Sequence, residues 1–348
     1  MDPLVELTRG GIRESVHFGA IAVVDAHGTL LASVGEIQNP TFLRSSAKPF
    51  QALPLVRSGV ADALHITDKE LAVICASHVG LDEHVEVVAG LQSRIGISEQ
   101  DLLCGCHVPE DRAVAQRLAH AGQSATALRN NCSGKHSGML AYAKHLWNGD
   151  TSRDGRSYLD PQSEVQQHIL SAFSELCGVA AQEIVIGIDG CSAPNFAVSL
   201  QACAFAAAQL IDPRHLGAAT GKAASRISNA MMTFPDMVRG PGRFDTELMR
   251  LYNGKVLSKL GAEGYQMIAL APALTRSGVG VGIAVKISDG DLTYRASPVV
   301  ALETLRQLEV LKNIAGSALE PFAERTLKNH RGIPVGEIRP CFALSRRG

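Results

Sequence analysis

The alternation of apolar and polar positions changes character along the chain. Near both ends it takes a short, β-rich form. His17 to Val24 and Thr29 to Val34 flank Asp25-Ala26-His27-Gly28, which predicts a hairpin. Tyr265 to Leu270 and Gly278 to Ile287 read as two further strands, followed by the turn Ser288-Asp289-Gly290-Asp291. Gly336 to Arg339 predicts a last short strand. Between these ends the period is helical, over 110–120, 137–147, 161–176, 194–211 and 213–232. Thr67-Asp68-Lys69-Glu70 has the capping-box pattern ahead of the apolar run 71–74. One strand signal interrupts the helical middle, Glu183 to Ile188, and it ends in Asp189-Gly190-Cys191. Strands at both termini around a helical centre predict one sheet built from both chain ends, of α+β or mixed α/β class. A regular βαβ repeat does not fit.

Length alone, at about 150 residues per domain, suggests roughly two domains for 348 residues. The pattern instead predicts a single unit over 1–348, with sheet regions near 1–45 and 255–348 and a helical region near 46–254. Hydrophobic residues make up 46% and charged residues 19%, which excludes a disordered chain. Basic and acidic residues number 33 and 34, so no charge excess points to nucleic acid or an anionic membrane. Thirty-three glycines and 5% aromatics predict tight turns and small-residue packing. The eight cysteines are scattered and do not form a disulfide framework. Met1 to Glu6 lacks a leader's basic and apolar regions. The apolar stretch Phe196 to Ile211 is broken by Ser199, Gln201 and Gln209, and is shorter than the ~20 residues of a membrane span. A cytoplasmic protein with free or metal-bound thiols is expected.

Several segments carry candidate chemistry. Ser45 and Lys48 form S-x-x-K ahead of the helix-compatible run 50–53, and three-residue spacing predicts the hydroxyl beside the amine on one face. A desolvated lysine of lowered pKa can take the proton of a serine, and a helix start favours a developing oxyanion. Ser258-Lys259-Leu260-Gly261 resembles the K-T-G strand motif of penicillin-binding enzymes, with Leu in place of Thr. Ser77, on a loop after the capped helix, can meet the nucleophile from between them. Asn130 to Gly138 and Asp189 to Pro194 each bring a thiol, Cys132 and Cys191, to a polar loop. Two such thiols can hold a soft metal or can be small buried residues. Cys104-Gly105-Cys106-His107 lacks a partner cluster and stays outside the metal assignment.

Taken in order, these segments resemble the class 3, or rhizobial-type, L-asparaginases of the asparaginase II family. The resemblance runs from Pro3-Leu4-Val5-Glu6 and Arg9-Gly10 through Arg44 to Pro49, Ser77-His78 and Cys104-Gly105 with His107 and Pro109. It continues through Asn131 to His136, Asp189-Gly190-Cys191, Gly242 to Thr246 and Lys259 with Gly261 to Gly264, and ends at Val335 to Pro340. It implies a fold like that of serine β-lactamases and penicillin-binding proteins, with an antiparallel sheet. It also implies homodimers and hydrolysis of L-asparagine to L-aspartate and ammonia. Two Ser–Lys pairs are implied, Ser45 with Lys48 and Ser77 with Lys259; Ser45 is favoured for attack, with Ser77 and Lys259 relaying the proton.

The resemblance further implies a Zn²⁺ site that maps onto Cys132, Lys135 and Cys191, orients substrate and requires Lys135 to have a depressed pKa. Arg44, His136 and Asp189 adjoin these residues and are candidates for the substrate's α-carboxylate and α-amino groups. The alternatives are a glutaminase or another serine hydrolase of the same scaffold, and a non-catalytic amino-acid sensor.

Overall fold

A computed structural model describes residues 1–346. Its main sheet has nine strands, and every pairing is antiparallel. Seven of them follow one another in space in the order Arg325–Lys328, Pro334–Pro340, Asp2–Arg9, Ile12–Asp25, Val281–Ile287, Tyr265–Leu270 and Val256–Gly261. Leu30–Val34 also pairs with Ile12–Asp25, completing the expected hairpin with Ile21 opposite Val34. Both chain ends build this sheet, and the helices between them pack on it, the layout implied for a β-lactamase-like fold.

Two of the buried main-sheet strands give no periodic signal. In Asp2–Arg9 five consecutive residues, 4–8, are buried, and Val256–Gly261 is buried at every position except Leu260. Buried polar residues, Glu6 and Thr8 in one and Ser258 and Lys259 in the other, interrupt the apolar run that marks a strand covered on both faces. The second of these strands carries Lys259.

Alternation along the central strands divides the core. Ile21, Val23, Ile268 and Ile283 face one cluster, with Phe244, Leu248 and Val300. Ala20, Ala22, Val24, Met267 and Ala284 face the other, which joins the helical middle. The second face is built of small residues, so a helix can lie very close to it. A Cβ on Gly282 would stand 1.8 Å from Ala204 O of the alanine-rich helix Leu200–Ile211.

The helical middle departs from the predicted pattern at two points. The 194–211 period divides into a buried strand, Pro194–Val198, and the helix Leu200–Ile211, whose Ser199 cap accepts from Ala202 N–H. The strand Val185–Ile188 does not join the main sheet. It pairs with Pro194–Val198, which also pairs with Thr41–Phe42, in a separate three-stranded sheet. The 183–188 signal is correct for a strand, but its partner is local. The capping box at Thr67 and Glu70 is present in full. Among the described residues, no helix is long and apolar enough to cross a membrane.

Candidate active site

Ser77, on the loop after helix Asp68–Ile74, lies between two lysines. Its Oγ is 3.0 Å from Lys48 Nζ and 2.8 Å from Lys259 Nζ. Lys48 opens the short helix Lys48–Gln51, and Lys259 stands on the edge strand of the main sheet. Lys48 also donates to Ala76 O and Asn131 O, and Lys259 donates to Leu260 O. Ser46 Oγ donates to Lys259 O at 2.8 Å, tying the S-x-x-K turn to that strand. All three central groups are almost fully enclosed, with Ser77 2% and Lys259 0% exposed. Burial, helped by the charge of Lys48, pushes the Lys259 amine well below its ordinary pKa. The arrangement supplies a hydroxyl in contact with an amine that gives up its proton readily, the requirement of an activated serine site.

The pairing predicted from local spacing changes at this point. Ser45 lies in the tight 3₁₀ turn Arg44–Ala47, and the Lys48 amine reaches past it to Ala76, Ser77 and Asn131. Among the described residues no side-chain hydrogen bond involves Ser45 Oγ. The three-residue rule compares positions on one helix and takes no account of acceptors brought in by other segments. Arg44, immediately before Ser45, has φ +52°, a strained backbone for a residue other than glycine.

The cysteine loops do converge. Lys135 Nζ donates to Cys191 Sγ at 2.9 Å, and Cys132 and Cys191 share a hydrogen bond. That bond, followed by the charges of Lys48 and Lys135, holds the Cys132 thiol well below its ordinary pKa despite burial. Burial lowers the proton affinity of Lys135, but the two sulfurs outweigh it and raise its pKa above the ordinary value. Without a metal, a thiolate beside the Lys135 ammonium stabilises it, and the neutral amine implied by the resemblance belongs to the metal-bound site. The helix bearing Lys135 can approach closely only because of Gly134, where a Cβ would stand 2.1 Å from Val73 O. Among the described residues no group of three or more His, Cys, Asp and Glu gathers as a metal site. Two thiolates and an amine are a soft N/S set of the kind that suits zinc, and Cys132, Lys135 and Cys191 would present it once Lys135 had lost its proton.

Arg44 and Asp189 engage each other, with Arg44 Nε 2.9 Å from Asp189 Oδ1. Burial raises the Asp189 carboxyl pKa, but Lys135, Arg44 and the Gly190 N–H together hold it below the ordinary value. His136 is fully buried, and burial followed by the charges of Lys135 and Lys48 keeps it neutral. Its Nδ1 lies 2.8 Å from Tyr158 OH, which accepts from Leu103 N–H and so has its own proton to give. In the tautomer that this network favours, Nε2 carries a hydrogen, and that atom has no partner.

Other residues hold the site in place. Asp245 accepts from Ser258 Oγ, Leu260 N–H and Gln266 Nε2, gripping the strand on both sides of Lys259. His107 Nε2 accepts from Asn131 N–H, and Asn130 Nδ2 donates to Cys104 O and Gly105 O. The Cys104–His107 loop thus buttresses the loop whose Asn131 carbonyl receives Lys48. Arg239 Nη1 donates to Ser77 O at 2.9 Å. Apart from their place in ordered motifs, these residues carry no local signal.

A sequence model of the L-asparaginase II family matches residues 5–340. The chain belongs to the L-asparaginase II family. It is therefore an amidohydrolase by family, and the serine, lysines and cysteines above lie within the matched span. No curated protein sequence matches significantly. Among solved structures, a probable glutaminase from Bacillus subtilis complexed with 6-diazo-5-oxo-L-norleucine is 12% identical. It covers 84% of either chain with a TM-score of 0.36. The native form of Mglu in 4.3 M NaCl is 16% identical over 79% of this chain and 57% of that one, with a TM-score of 0.42. Overlaps this loose say nothing about which amide is cleaved.

Proposed function

We propose that this family member hydrolyses L-asparagine to L-aspartate and ammonia through a serine ester. The observation that carries the reading is the Ser77 hydroxyl held between two buried lysine amines. Ser45 attacks. Its hydroxyl is free of protein partners among the described residues, and its place in the first turn of a helix puts N–H groups without helical acceptors near the developing oxyanion. Ser77 is enclosed, and its own N–H is bonded to Val238 O at 2.9 Å, which suits it to pass protons.

In the first step Ser45 Oγ bonds to the amide carbon, and its proton passes through Ser77 to the Lys259 amine. The C–N bond then breaks, and the nitrogen takes that proton back through Ser77 and leaves as ammonia. Water attacks the ester and gives a proton to the same relay, which returns it to Ser45. Arg44 and Asp189, paired in the unliganded site, meet the α-carboxylate and α-ammonium by exchanging partners, and His136 Nε2–H supplies a further donor. Cys132, Lys135 and Cys191 would hold a zinc ion, which when bound supplies a Lewis-acid anchor for the substrate's polar end.

A second reading, direct attack by Ser77, is favoured by its 2.8 Å contact with Lys259. A diazoketone analogue of asparagine, followed by peptide mapping, tests both. Label on Ser45 is expected, and label on Ser77 would transfer the nucleophile. Ammonia release from glutamine exceeding that from asparagine would overturn the substrate assignment.

A further inference from the structure

Beside the catalytic strand lies a cleft of about 440 Å³, inside the range of roughly 300–1,000 Å³ usual for small-molecule sites. It adjoins the centre directly. Leu260 and Gly261, the residues after Lys259, form part of its wall, and Arg239, which lines it, is bonded to the Ser77 carbonyl. The cleft has a cationic side and an apolar side. On the cationic side, Arg239 is matched by Glu110 at 2.6 Å. Arg243 is not matched. Among the described residues its only acceptor is the Glu110 backbone carbonyl, at 3.0 Å, which leaves four of the five N–H donors of a half-buried guanidinium without a protein partner.

The other carboxylates of the cleft are committed elsewhere or turned outward. Asp291 accepts from the backbone of Arg295, Ala296 and Ser297 and from Ser297 Oγ, at the start of helix Ser297–Gln307. Glu263 is 57% exposed and lies 3.9 Å from Arg44. Burial, then repulsion by Arg239, lowers the proton affinity of Arg243, and the charges of Glu110 and Asp111 only partly offset this.

On the apolar side Phe244 and Phe322 pack edge to face at 5.6 Å, and Leu292 stands at the mouth with 89% of its surface exposed. Three of the cleft's residues other than glycine, Glu263, Asp291 and Tyr294, have φ between +44° and +61°. Strained backbone of this kind gathers where ligands are clamped.

The geometry points to an extended-substrate subsite in this cleft that takes an apolar group ending in a carboxylate, with Arg243 as its cation. Amides longer than asparagine, carrying such an acid at the far end, are the substrate class it admits. That last step rests on Ser77 and Lys259 being the catalytic centre proposed above; the binding site itself does not.

The test is calorimetric titration of the full chain with 3-phenylpropionate and with its neutral amide, alongside inhibition of asparagine turnover by the acid. A carboxylate–guanidinium contact predicts binding at least about tenfold weaker in Arg243→Gln, with part of the affinity restored in Arg243→Lys. Leu292→Asp, at a position too exposed to disturb folding, weakens the acid as well. The neutral amide binds weakly and equally to wild type, Arg243→Gln and Arg243→Lys, and the acid competes with asparagine. Equal affinity of the acid for wild type and Arg243→Gln, equal affinity of acid and amide, or no binding of the acid overturns the subsite. Arg243-dependent binding in a protein that fails to turn over asparagine keeps the subsite and removes the asparaginase reading.

Discussion

Ser77 and Lys259 are 182 residues apart in the chain, and their side chains meet at 2.8 Å. The contact joins a loop of the helical middle to the edge strand of the main sheet, so the site exists only where the two regions close on each other. With Lys48 on the opposite side, it gives one hydroxyl two amines at hydrogen-bond distance.

Removing the amine tests this relation. Lys259→Ala is expected to lower kcat by about 10²–10⁴-fold, the usual worth of a positioned general base or acid. Lys259→Arg is expected to do no better, because a guanidinium keeps its proton. Arginine activity near wild type in steady-state ammonia release would exclude Lys259 from proton transfer.

The same burial sets a stability trend. The folded Lys259 amine has a pKa well below its ordinary 10.5, so the unfolded chain binds this proton more tightly. Its contribution opposes folding at pH below both values and fades as pH rises towards 10.5. Lys259→Met is therefore expected to raise the melting temperature at neutral pH, by about 1–3 kcal/mol of stability, while abolishing turnover. The gain is expected to shrink in alkaline buffer. A melting temperature that falls at neutral pH would contradict it.

Asp245 is a positioning residue for Lys259. Asp245→Asn replaces one acceptor oxygen by a donor and sets it against a buried donor, at a cost of about 1–3 kcal/mol. A lower kcat with KM little changed, and a displaced pH–rate profile, are the expected signs. An unchanged profile with lowered stability alone would reduce Asp245 to a structural role.

The thiol pair makes a prediction about metal. Cys191→Ala is expected to abolish stoichiometric zinc and raise KM, whereas Cys203→Ala, at a buried cysteine outside the site, leaves the metal in place. Equal zinc content in the two variants, measured by plasma mass spectrometry, would show that the ligands are elsewhere.

Buried histidines give an acid limit. His78 and His136 both have pKa values well below the ordinary 6.5, with burial the largest cause. The unfolded chain takes up these protons first, so stability is expected to fall as pH drops below about 6.5. A melting temperature flat between pH 7 and 5 would show that protonation of these residues is not coupled to unfolding.

Much of this was legible in the chain. Apolar, β-rich runs mark the terminal hairpin and the strands 265–270 and 281–287, which are buried on both faces, and helical periodicity marks most of the central helices. The pattern is silent on strands 2–9 and 256–261, where buried Glu6, Thr8, Ser258 and Lys259 break the apolar run, and it merges strand 194–198 with the helix that follows. The ordered motifs bring Ser77, Lys48, Lys259, Cys132, Lys135 and Cys191 into consideration without saying which will touch.

What the sequence determined by itself was the layout, sheet from the ends and helices from the middle, together with the inventory of reactive groups. Local spacing cannot decide partners when a long side chain reaches another segment. Only the tertiary structure turned Lys48 from Ser45 to Ser77, paired Arg44 with Asp189 and set Lys135 beside two sulfurs. It also left Arg243 in a cleft whose carboxylates are engaged elsewhere, with no ion-pair partner of its own among the described residues. Each depends on which buried donors and acceptors meet when water is excluded, a property of the packed chain and of no single stretch of it.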